Sequence, residues 1–214
     1  MNARGNNKMN RIQKFAVILA ATLLAAGTSH AMSVSWSAAN TRFVTLQGGA
    51  LGVPQGDLIE LGIANVSGIQ AATSGTAAQA AFTTWSAGFV GDGVGLDGTF
   101  AESTTAPGLT FLGQQLYIIV FNAATAASAS QVGVFTNPAW IAPATDSAPA
   151  LVLDIGDAGT VATRGALSSG TVTSPAALAG SDAASLAIVP EPSSIALVVT
   201  GLLGLVTLAR SRRS

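Results

Sequence analysis

Apolar positions along this chain form one long run near each end and a series of short clusters between them. The clusters follow a two-residue period. In Leu58-Ile59-Glu60-Leu61-Gly62-Ile63, alternation puts Ile59, Leu61 and Ile63 on one face and Glu60 on the other, as in a half-buried strand. Gln115 to Asn122 is apolar on both faces, which predicts a central strand covered on both sides. Further strands are predicted at Phe43 to Leu46, Leu109 to Leu112, Gln131 to Thr136, Ala150 to Ile155, Thr171 to Thr173 and Leu186 to Val189, with Gly, Pro, Asn, Ser and Thr between them. Ala71 to Phe82 is the one helix candidate, weakened by Thr73, Ser74 and Gly75. Strands at this spacing predict an all-β fold, a single antiparallel β-sandwich-like domain. The absence of a fixed-period repeat argues against a solenoid or propeller.

The two long runs are addresses. Lys8, Arg11 and Lys14 precede the apolar stretch Phe15 to Ala26, and Gly27 to Ala31 supply small residues, the order of a secretory signal peptide. Ser29 and Ala31 occupy the small-residue positions, so cleavage is expected after Ala31. At the other end, Val189-Pro190-Glu191-Pro192-Ser193-Ser194 leads into the uncharged run Ile195 to Ala209, closed by Arg210, Arg212 and Arg213. The prolines cannot sit inside a helix and mark its outer start. At ~1.5 Å per residue the run spans roughly 22 Å, short of a typical hydrocarbon core of about 30 Å, so flanking arginines must snorkel or the bilayer thin locally. Both basic ends stay cytoplasmic by the positive-inside tendency, leaving everything between them in the periplasm.

This tail resembles the PEP-CTERM sorting signal, which exosortase-type transpeptidases process in bacteria that make extracellular polysaccharide. The resemblance covers Val189 to Ser214 and has motif, apolar helix and arginine cluster in order. It implies a temporary anchor, with Pro190, Glu191 and Pro192 as the recognition motif and Arg210, Arg212 and Arg213 as the membrane stop. The segment Gly113-Gln114-Gln115-Leu116-Tyr117 through Phe121-Asn122, followed by Gly133-Val134-Phe135-Thr136 and Trp140, resembles the body of many PEP-CTERM cargo proteins. Asp57-Leu58-Ile59-Glu60-Leu61-Gly62 resembles an earlier strand of that group. The expected organisation is a signal peptide (1–31), an exported β-rich domain (32–188) and a sorting signal (189–214) with a transmembrane helix over 195–209. The domain is thus flanked by an N-terminal signal-peptide helix and a C-terminal transmembrane helix.

Charge and composition narrow the cargo's chemistry. Between the basic ends stand only Arg42 and Arg164, against Asp57, Glu60, Asp92, Asp97, Glu102, Asp146, Asp154, Asp157 and Asp182. Phosphate backbones are bound by neutralising their charge, so this acidic middle argues against nucleic acid. Cysteine is absent and the only histidine, His30, leaves with the signal peptide. That removes a Ser-His-Asp triad, a Cys nucleophile and zinc sites built on His and Cys. Without disulfides, stability rests on a packed core, which ~160 residues can bury unaided.

Four weaker signals remain. Gly93-Val94-Gly95-Leu96-Asp97-Gly98 fits G-x-G-x-x-G, but Thr99 to Ser103 offer no helix start, so a turn is expected. Asp92 and Asp97 are then turn residues, with calcium ligation as the competing reading. Asp154 and Asp157 suggest either a carboxylate pair for glycoside hydrolysis or a strand end with a turn at Asp157-Ala158-Gly159. Thr171-Val172-Thr173 is too short for an ice-binding array and reads as a strand. Trp36, Trp85, Trp140 and Tyr117 are either core residues or sugar-stacking platforms.

The expectation is an exported, noncatalytic cell-surface or extracellular-matrix protein with no cofactor and no metal, and not an enzyme. Its partners would be signal peptidase, an exosortase-like transpeptidase, transiently the inner membrane, and extracellular polysaccharide, but no nucleic acid. The precursor would sit in the inner membrane with its domain in the periplasm, and the mature form at the surface or outside. The alternatives are a carbohydrate-binding module and a carboxylate-dependent glycosidase.

Overall fold

The computed structural model describes residues 33–105, 109–145 and 149–189. Its twelve strands are β1 (Ser33–Ala38), β2 (Arg42–Thr45), β3 (Leu58–Ala64), β4 (Phe82–Phe89), β5 (Phe100–Thr105), β6 (Gln115–Phe121), β7 (Gln131–Ile141), β8 (Leu151–Asp154), β9 (Val161–Arg164), β10 (Ala166–Ser168), β11 (Asp182–Ser185) and β12 (Ala187–Ile188). Two short helices, α1 (Val66–Ala71) and α2 (Gly75–Ala80), lie between β3 and β4. The largest sheet runs β12-β7-β6-β3-β4, with β9 also on β7, and two three-stranded sheets run β5-β1-β8 and β10-β11-β2. The fold is mostly β.

The layers follow from which faces are apolar. Leu116, Ile118 and Val120 of β6 join Ile59 and Leu61 of β3 in one core, which also holds Val34 and Trp36 of β1, Val44 of β2, Phe100 of β5 and Leu153 of β8. The two small sheets therefore pack on one face of the large one. On the opposite face, Ile119, Phe121, Val132 and Val134 pack with Ile69 of α1 and Ala78 of α2. Strand β6 is central and covered on both sides, as its unbroken apolar run predicts.

Several expectations are corrected. The pairing is not wholly antiparallel: β1 with β8 and β2 with β11 are parallel. Parallel neighbours need a long connection rather than a hairpin. Both pairs join strands from opposite ends of the domain, so that connection exists. Leu109–Phe111 is a 3-10 turn, not a strand. Its Phe111 ring stacks on Trp85 at 5.4 Å. Thr171 to Thr173 forms no strand; the Thr171 hydroxyl donates to the Gly49 carbonyl and that of Thr173 to the Ala50 carbonyl. Of the helix expected over 71–82, only Gly75–Ala80 is helical as α2; α1, which was not expected, shares only Ala71 with that segment, and Thr73 and Ser74 lie in the break between the two. Ser74 Oγ caps α2 by accepting from the Ala77 N–H at 3.0 Å. A Cβ on Gly75 would lie 2.1 Å from the Ala126 carbonyl oxygen, so α2 can approach that turn only with glycine there.

Glu60 does not face water. The helical layer covers its face, leaving it 5% exposed, with Oε1 accepting from Gln79 Nε2 at 2.8 Å and Oε2 from the Thr84 hydroxyl at 3.0 Å. Burying a carboxylate is costly unless its oxygens are satisfied, and here α2 and β4 supply the donors.

Candidate functional site

The residues expected to direct export and sorting, Ala31, Pro190, Glu191, Pro192, Arg210, Arg212 and Arg213, lie outside the described residues, as does the helix expected over 195–209. Among the described residues, no helix is long and apolar enough to cross a membrane. The structure does describe the chain up to that motif. Val189 is 2% exposed, and its N–H donates to the Ser130 carbonyl at 2.8 Å. The preceding strand β12 pairs with β7, and Arg164 Nη2 donates to the Ile188 carbonyl.

The loop between β4 and β5 gathers acidic side chains in two pairs. Four glycines with positive φ, Gly91, Gly93, Gly95 and Gly98, shape it, and β5 follows directly, so the G-x-G-x-x-G spacing lacks the helix a dinucleotide site needs. Asp92 Oδ2 accepts from the Phe89 N–H at 2.9 Å, and Asp97 Oδ1 accepts from both the backbone N–H and the side-chain amide of Gln55 at 3.2 Å. Burial, helped by the charge of Asp97, pushes Asp57 up to about 6. Glu102 is also raised, first by burial and then by a hydrogen bond and charge from Asp92. Among the described residues, no group of three or more His, Cys, Asp or Glu side chains is placed to hold a metal ion. Both loop aspartates serve the backbone, which is the turn role.

Asp154 and Asp157 are likewise committed. Asp154 ends β8 and is 4% exposed, accepting from the Ser37 hydroxyl, from Asn40 Nδ2 at 2.9 Å and from the Gly156 N–H at 2.7 Å. Asp157 Oδ2 accepts from the Asp154 N–H and from Trp140 Nε1, each at 3.1 Å. The pair forms a turn that fixes Trp140 in the core. Trp36 and Trp140 are buried, and Trp85 packs against the main core. Tyr117, the last of the four flagged aromatics, lines a concavity.

That concavity is a groove of about 430 Å³ where β3 and β6 part. Their pairing runs from Ile59 with Val120 to Gly62 with Tyr117 and stops there. Strand β3 continues through Ile63 and Ala64, paired only with β4. The groove is lined by these two residues, the half-buried Tyr117, Ala80 and Ala81, and the polar residues Asn65, Thr83, Gln114 and Gln115. Its lining contains no charged side chain. Sequence reasoning flagged Tyr117 and quoted Gln114 beside it, but missed Asn65 and Thr83, which carry no periodic or motif signal.

Comparison with known proteins gives no match: no family model fits the chain, and no curated protein or solved structure aligns with it.

Proposed function

We propose that this is an exported, noncatalytic cell-surface or extracellular-matrix protein delivered through a PEP-CTERM/exosortase pathway. The observation that carries the reading is the order Pro190-Glu191-Pro192, uncharged run 195–209, then Arg210, Arg212 and Arg213. A charge near the bilayer centre costs about 2.5–3.5 kcal/mol even on the lenient insertion scale, so the arginines resist passage through the membrane. Support comes from Val189, whose burial brings the folded domain directly up to the motif. The packing of two small sheets on one face of the large one supports a single sandwich-like unit as the cargo. The precursor would reside in the inner membrane with this unit in the periplasm, and signal peptidase would start the chain at Met32.

The test is made in a host that carries an exosortase. The unmutated protein should lose Arg210 to Ser214 and reach the surface or medium, while Glu191→Ala should remain full-length at its C-terminus in the inner-membrane fraction. Retention of that tail by the unmutated protein at steady state makes the segment an ordinary anchor.

A second reading, a carbohydrate-binding module, is favoured by the uncharged groove beside Tyr117.

A further inference from the structure

We propose that the groove between β3 and β6 binds an uncharged oligosaccharide, with one sugar ring against Tyr117; this site assignment rests on the carbohydrate-binding reading.

The groove exists because β3 and β6 part beyond Gly62 and Tyr117. Across from Tyr117 the paired residue is Gly62, which brings no side chain to that flank of the ring. Gly62 is itself enforced: a Cβ there would lie 2.1 Å from the Thr83 carbonyl oxygen, where β3 shifts register against β4. The residues that open the cleft are therefore also required by the sheet. On the same face the helical layer covers Ile119 and Phe121, but Tyr117 stays half-buried beside Ala80 and Ala81, at the end of α2.

The lining chemistry selects the ligand. A sugar ring has an apolar C–H face and a rim of hydroxyls. It needs an aromatic surface together with a few amide or hydroxyl partners, the usual mixture of a small-molecule pocket of about 300–1,000 Å³. Here the apolar part beside Tyr117 is Ala64, Ala80 and Ala81, with Asn65, Gln114 and Gln115 as polar residues, while Ile63, which packs on the main core, and its partner Thr83 line the other side. Asn65 Oδ1 is occupied by capping α1 through the Gly68 N–H, which leaves its Nδ2 as donor. The Gln114 side chain is exposed and makes no hydrogen bond with other described residues. Gln115 also lines the groove, but its Nε2 is held by Thr136 Oγ1 and the Asn137 and Trp140 carbonyls, which leaves only its Oε1 as an acceptor.

Charge decides against anionic glycans. They are held by Arg or Lys, and the two cations of the described residues are engaged elsewhere, Arg42 with Asp182 at 3.6 Å and Arg164 with backbone carbonyls. An extended peptide is also disfavoured. Strand addition needs a run of unpaired main chain, and β3 offers only Ile63 and Ala64 beyond its last pair with β6.

The experiment uses the purified full-length protein in detergent. It is titrated with neutral glucan, mannan, galactan and chitin oligosaccharides, and in parallel with uronic-acid and sulfated ones. At least one neutral oligosaccharide should bind. Tyr117→Ala should weaken it about five- to ten-fold, the loss expected for an aromatic stacking contact, while Tyr117→Phe keeps most of the affinity. Gln114→Ala should weaken it by about three-fold or more with the melting temperature unchanged, so the site does not depend on one core-linked variant. Neutral binding that survives both Tyr117→Ala and Gln114→Ala overturns this site and leaves the carbohydrate-binding reading standing. Binding to no neutral oligosaccharide sinks both. Preference for the anionic set overturns the ligand class.

Discussion

Arg164 and Ile188 are joined by a hydrogen bond from the guanidinium Nη2 to the carbonyl at 3.2 Å, while Nη1 donates to the Ile69 and Ala72 carbonyls, each at 2.8 Å. One side chain thus ties β9, the C-terminal end of α1 and the last strand of the domain. The Ile69 carbonyl also accepts from the Ala72 N–H at 3.3 Å, and the guanidinium adds donors at a helix end where backbone donors run short. Burial lowers the pKa of Arg164, yet a guanidinium stays protonated. Arg164→Met keeps much of the aliphatic contact and removes the donors. It is expected to cost about 2–3 kcal/mol in urea unfolding and to speed hydrogen exchange at the Val189 amide. Equal stability and unchanged exchange would show that β7 alone holds the terminal strand.

The acidic loop gives the domain an unusual pH response. Asp57 is raised from 3.8 to about 6 by burial and by Asp97, and Glu102 is shifted upward by burial and by Asp92. A carboxyl with a raised folded pKa contributes stability that is fully present below its unfolded value and is lost as pH rises through its folded value. The contribution of Asp57 should therefore fade between about pH 4 and about pH 7. Melting curves should show a declining midpoint across that window, flattened in Asp57→Asn, which should also melt higher than the unmutated protein at neutral pH. A midpoint that climbs steadily over the same range in both proteins contradicts this account.

Asp97 holds Gln55 by two hydrogen bonds and so acts on the backbone of the neighbouring loop. A ligand that binds only the folded state must raise stability by mass action. Millimolar calcium is therefore expected to leave the melting midpoint unchanged, while Asp97→Ala lowers it slightly without calcium. A calcium-dependent rise that Asp97→Ala abolishes would reverse the assignment.

Gly62 stands where β3 changes register against β4, and its missing Cβ is occupied by the Thr83 carbonyl and the Phe82 ring. Gly62→Ala would have to push backbone aside rather than the tip of a flexible chain. The expected loss is about 2–3 kcal/mol, at the upper end of ordinary overpacking, read from the urea midpoint. An unchanged midpoint would mean that the two strands can part at little cost.

Part of this molecule was written locally. The alternation over 58–63 and the unbroken apolar run over 115–122 specified two neighbouring strands, and the burial of both faces of β6 followed from the second pattern alone. β1 also carried a legible signal, since Val34, Trp36 and Ala38 alternate as buried positions, but the small and polar residues between them concealed it. The charge distribution and the lack of His and Cys in the domain were properties of composition and needed no coordinates. Tertiary structure decided what those patterns meet. Periodicity reports which face of a segment is apolar, but the partner and the covering layer come from residues far along the chain. Glu60 read as solvent-facing until α2 and β4 closed over it, and the polar-rich 82–89 segment became a strand because β3 offered it an edge. The parallel pairs joined strands from the two ends of the domain, which no local window can see. The groove at Tyr117 arose in the same way: β3 and β6 are equally long, but their pairing stops at Gly62 and Tyr117 and the strands part beyond it, which is a property of their pairing and not of either segment.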